Sequence, residues 1–88
     1  MMSTRSAWDR EAALLALSEK HLTDGRRRID EQRRRITMLR QGGCDVGLAE
    51  DLLAALECTQ QEWQSHHDLI AAHLAAIEAA ERTDRSDT

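Results

Sequence analysis

The chain has 88 residues, 12 basic and 16 acidic side chains, a net charge of −4, and no Pro, Phe or Tyr. That length holds one small domain whose core is marginal when alone. Its longest uninterrupted apolar run, residues 12–17, is far too short to span a bilayer.

Residues 1–5 read as a loose end. Ser6, with Asp9 three residues on, resembles a capping box in which Asp replaces Glu, so the first helix starts near residue 6. Within it Trp8, Leu15, Leu22, Ile29 and Ile36 recur every seven residues. That spacing keeps one stripe of a helix facing a partner. Gly25 is its one weak point, costing about 1 kcal/mol against Ala. The helix runs to residue 41. Gly42 and Gly43 then supply the left-handed conformation that ends a helix, and residues 42–45 form the turn.

Asp45 is the best N-cap for a second helix, and Glu50 and Asp51 suit the positive end of its dipole. This helix spans about residues 46–82. It carries a second heptad row: Ala49, Leu56, Trp63, Ile70 and Ile77. Residues 83–88 are polar, end the apolar pattern and read as a disordered tail.

Two such helices joined by a tight turn predict an all-α antiparallel two-helix hairpin. Level residues then have numbers adding to about 88 by the position of the turn. This sets Gly25 opposite Trp63, Leu22 opposite His66 and Leu15 opposite His73. Ile29 falls near Thr59, Gln32 near Leu56 and Ile36 near Leu52. Ser18, Gln32, Thr59, His66 and His73 interrupt the apolar seam, and such polar seam residues fix register and oligomer state.

The second helix has more apolar surface than one neighbour can cover. Leu48, Leu52, Leu53, Leu56, Trp63, Leu69, Ile70, Leu74 and Ile77 span a wide arc. A second copy covers them most simply, giving a homodimeric four-helix bundle. A helical segment of another protein is the alternative occupant. Charge is uneven as well. Residues 20–40 hold eight basic and three acidic side chains, and residues 41–88 hold two basic and ten acidic ones. A basic helix therefore lies beside an acidic one, which selects register and orientation more than it adds stability.

The histidines are the sharpest candidates for chemistry. His21 lies near the level of His66, and Glu62 sits one turn before His66. Imidazole and carboxylate suit zinc or another transition metal, so His21, Glu62, His66 and His73 form a candidate metal or haem set. His66 and His73 stand two turns apart, about 10 Å, too far to share one ion directly. Local signatures such as His-Glu-x-x-His and Cys-x-x-Cys are missing. The competing reading makes these histidines polar seam residues.

Residues 26–40 carry seven arginines, and the triplet-plus-Ile pattern at residues 26–29 repeats at 33–36. Such a face could contact phosphates, which makes nucleic-acid binding through residues 26–35 a second alternative. The acidic total and the carboxylates of the second helix oppose it, so the face reads as solvated and salt-bridged. Cys44 and Cys58 lie about 20 Å apart if the segment between them is helical. They cannot close an intrachain disulfide and read as reduced thiols, although an intermolecular bond through Cys44 stays open. The start lacks a cleavable apolar segment, so the expected location is the cytoplasm.

The stretch from His21 and Leu22 through Ile29, Gln32, Ile36 and Leu39, then Gly43, Asp45, Ala49, Leu52, Leu53 and Leu56, resembles a recurring type of short, uncharacterised bacterial helical-hairpin protein. That resemblance implies a hairpin fold and carries no activity. With no phosphate loop and no deep pocket in one hairpin, the chain is expected not to be an enzyme. The leading expectation is a self-associating protein-interaction or regulatory module. Metal or haem binding and nucleic-acid binding stand behind it.

Overall fold

A computed structural model describes residues 4–86. It contains two helices, α1 (Thr4–Gln41) and α2 (Gly47–Ser86), packed along their length, and no strand among the described residues. The hairpin measures 71 × 18 × 14 Å, one layer of two helices. Among the described residues no third element covers either face.

The turn follows from its two glycines. Gly43 takes φ +73°. Its N–H donates to the Arg40 carbonyl at 3.0 Å, and the Cys44 N–H donates to the Leu39 carbonyl at 2.9 Å. This pair of bonds is the Schellman closure of α1. Asp45 then accepts from the Gly47 N–H at 3.1 Å, while the Val46 carbonyl takes the first helical bond, from Glu50, at 2.8 Å. Asp45 therefore caps from one position upstream of the N-cap, which is Val46.

Both helices are longer than the sequence suggests. α1 begins at Thr4 rather than near residue 6. α2 continues past residue 82 to Ser86, with the Thr83 hydroxyl bonded to the Ala79 carbonyl at 3.0 Å. No Pro or Gly interrupts the end of α2, so nothing in the chain forces it to stop earlier. The rest of the expected loose ends, residues 1–3 and 87–88, lies outside the described residues.

The first heptad row forms the seam of α1. Leu22, Ile29 and Ile36 are buried, together with Ser18 and Gln32 from the companion row. On α2 the row Ala49, Leu56, Trp63, Ile70 and Ile77 also faces inward, and Ile70 is buried. Its companion row differs from the expectation. Val46, Leu53, Gln60, His67, Leu74 and Glu81 turn toward α1, while Leu52, Thr59, His66 and His73 stay exposed. Either row satisfies the spacing, one lying four residues and the other three residues after the first row. The inward row holds three aliphatic side chains and the outward row one, and burial favours the first.

Register shifts with it. Gly25 lies against Gln60 rather than Trp63. Gln60 donates to the Leu22 carbonyl at 2.8 Å, and Gln32 donates to the Ala49 carbonyl at 2.9 Å. At the open end the Trp8 indole N–H donates to Glu78 at 3.0 Å. Level partners have numbers totalling between 81, for Gln32 with Ala49, and 90, for Arg40 with its ion-pair partner Glu50. The reversal is centred on Gly42 and Gly43, about one helical turn from the expected register.

Candidate interaction surface

An antiparallel helix pair has two flanks, one on each side of its seam. Arg40 pairs with Glu50 on one flank, and His67 approaches Glu19 there at 3.5 Å. That side is charged, with Arg26, Arg33 and Glu57 at equivalent heptad positions. The opposite flank is marked by His21, which stacks on Trp63 at 4.2 Å between ring centroids, and by His66, edge-on to the same indole at 5.9 Å.

The large exposed hydrophobic side chains sort onto this second flank. Leu14, Leu17 and Met38 on α1, and Leu48, Leu52 and Leu69 on α2, all occupy the two heptad positions on the side of His21 and His66. Leu48 is 87% exposed, Met38 71% and Leu69 70%. Single exposed leucines need no explanation, but six on one side of a thin hairpin, in two groups with Asp24, Arg28, Glu31 and Glu62 between them, are more than scatter.

The nine α2 residues expected to meet a partner therefore divide. Leu48, Leu52 and Leu69 lie on the open flank. Leu53, Leu56, Trp63, Leu74 and Ile77 are half-buried in the intrachain seam, and Ile70 is fully consumed there. Leu14, Leu17 and Met38 add an α1 contribution beyond the expected α2 residues. Its signal was available: Leu14 and Leu17 flank the heptad residue Leu15, which widens the apolar arc of α1 toward one side.

The four residues of the candidate metal set are only partly gathered. His21 and His66 both rest on Trp63, and Glu62, Trp63 and His66 line one shallow concavity. His73 lies elsewhere, its Nδ1 3.0 Å from Glu11. Among the described residues no group of three or more His, Cys, Asp or Glu side chains is arranged to hold a metal ion. His67, outside that set, is the histidine that enters the seam, with its Nδ1 3.3 Å from Asp68.

The arginines lie along the outer surface of α1. Arg27 sits 3.9 Å from Asp24, Arg33 3.9 Å from Asp30, and Arg40 on Glu50, so three of the seven are partnered by carboxylates. Cys44 and Cys58 are free and exposed. Cys44 lines a surface concavity with Arg35, Met38 and Leu39, which places it at the turn end of the apolar flank. No helix among the described residues is long and apolar enough to cross a membrane. Comparison with family models, with curated proteins and with solved structures finds no match.

Proposed function

We propose that this protein is a non-enzymatic helical interaction module that self-associates through the flank carrying His21 and His66, forming a four-helix bundle from two hairpins. One observation carries the reading: the six large exposed apolar side chains share that flank, among Asp24, Arg28, Glu31, Arg35 and Glu62, and none of the six lies on the other flank. Covering a leucine or methionine contributes roughly 1.5–3 kcal/mol when burial is complete, so six partly covered side chains on each copy can drive association. The hairpin alone is one layer thick, and a second layer is how two-helix units usually complete a core. Two exposed free thiols suit a reducing compartment, the cytoplasm.

The test is solution mass by light scattering after gel filtration at micromolar concentration. A mass near twice the 10.0 kDa chain is expected for the native protein. The double variant Leu17→Glu/Leu69→Glu should be monomeric with unchanged helical circular dichroism. A native chain that is folded and monomeric throughout the micromolar range overturns self-association. A partner helix from another protein then becomes the occupant to seek.

A further inference from the structure

Resting on that self-association, we infer that the two hairpins meet about a twofold axis parallel to their long axis, with both turns at the same end and α1 of each copy lying on α2 of the other. A twofold axis can stack two such layers face to face in two ways. An axis along the hairpin keeps every residue at its own level and swaps the helices. An axis across the hairpin reverses the ends and puts α1 on α1.

Level and charge choose between them. Within one chain, level residues have numbers totalling about 85, as for Glu19 with His67 and His21 with Trp63. On the apolar flank Leu17 is thus level with Leu69, and Met38 with Leu48. The lengthwise axis sets Leu17 over the second copy's Leu69 and Met38 over its Leu48, each twice. A crosswise axis through the middle of α1 (Thr4–Gln41), level with residues 62 and 63 of α2, sets Leu17 at the level of Arg28, Leu14 at that of Glu31, Leu48 at that of Ile77 and Leu69 at that of Leu56. It leaves Leu14 and Leu17 against charge, and Leu48 and Leu69 against side chains already half-buried in their own seam.

Electrostatics points the same way. At the heptad positions on the His21 and His66 side, α1 carries Arg10, Arg28 and Arg35 with Asp24 and Glu31, a net +1, and α2 carries Glu62, a net −1. The lengthwise arrangement puts the slightly basic face of α1 on the slightly acidic face of α2. The crosswise arrangement stacks basic on basic and acidic on acidic, and like-charge juxtaposition is what excludes wrong pairings.

Cys44 is a built-in reporter, exposed at the turn beside Met38. In a Cys58→Ser variant spin-labelled at Cys44, the lengthwise dimer brings the two labels within about two helix diameters, ~24 Å. The crosswise dimer holds them apart by a distance approaching the 71 Å length of the hairpin. A second measurement does not depend on the turn. In chains with Cys44→Ser and Cys58→Ser, oxidising a mixture of Leu17→Cys and Leu69→Cys chains should give mixed covalent dimers in preference to either homodimer. Preferential linkage of Leu17→Cys to Arg28→Cys chains, or a long label distance, overturns the orientation while leaving the dimer intact. A monomeric mass removes both the dimer and its orientation.

Discussion

Gly25 on α1 and the Gln60 amide on α2 occupy one site: a Cβ on residue 25 would overlap Gln60 Oε1. The amide lies across the glycine and donates to the Leu22 carbonyl. A weak helix residue is thus matched to a polar seam residue that needs room and a partner.

This relationship predicts non-additivity. Gly25→Ala gains about 1 kcal/mol of helix propensity but displaces a hydrogen bond worth about 0.5–1.5 kcal/mol. Alone it should leave stability near that of the native chain. In a Gln60→Ala background nothing opposes the methyl group, and the same change should stabilise by about 1 kcal/mol. Urea unfolding of the four proteins at one fixed concentration measures the difference. Equal gains in both backgrounds would show that the two side chains do not compete.

Gln32 is buried and spends its amide on the Ala49 carbonyl near the start of α2. Gln32→Leu removes a buried polar group and its bond together, and should be neutral or mildly stabilising. Gln32→Glu replaces the donor with a buried carboxylate facing a carbonyl. It should cost about 2–3 kcal/mol at pH 7. Burial raises the folded-state pKa of that carboxyl above its unfolded value of about 4.3. The variant is then closest to native stability below the unfolded pKa, and the deficit grows as pH rises through the folded pKa. Urea midpoints at pH 4 and pH 7, each compared with the native protein, test this. A gap that does not change with pH would mean the position is hydrated.

The two turn glycines should not be equivalent. Only Gly43 has positive φ. Gly43→Ala should cost about 1 kcal/mol, the penalty of a left-handed residue with a Cβ. At Gly42 a Cβ meets neighbours no closer than 3.6 Å, ordinary contact, and Ala there should be neutral. Thermal melts of the two variants separate the positions. Equal losses would move the helix end from Gly43.

The hairpin itself was legible in the sequence because α1 offers only one seam. The row one place beyond Ser18, Gly25 and Gln32 is Glu19, Arg26 and Arg33, which no core accepts. α2 offers two seams, since Leu52, Thr59, His66 and His73 have the same heptad spacing as Leu53, Gln60, His67 and Leu74. Periodicity cannot choose between rows one residue apart. Packing chose, and the choice decided which leucines and which histidine remain outside. The α2 half of the apolar flank is defined only once that helix has a fixed rotation about its axis.

That one-residue choice can be tested directly with the adjacent histidines. His67 is half-buried in the seam beside Glu19, and His66 is exposed on the apolar flank against Trp63. His67→Leu exchanges a polar seam residue for an aliphatic one, and gives up an exposed ion contact worth at most about 1 kcal/mol. It should stabilise the hairpin by on the order of 1 kcal/mol, because burial of the new side chain outweighs the lost contact. His66→Leu adds nothing to the seam. Its new side chain extends the flank between Leu52 and Leu69, so its gain should appear as tighter association. The two effects separate by protein concentration. The dissociation constant should fall for His66→Leu, and its melting temperature should exceed that of the native protein only where dimer is populated. For His67→Leu the melting temperature should rise even for the Leu17→Glu/Leu69→Glu monomer. If His66→Leu stabilises that monomer and His67→Leu does not, α2 is rotated by one residue, and Leu52 and His66 belong to the seam rather than to the flank proposed for self-association.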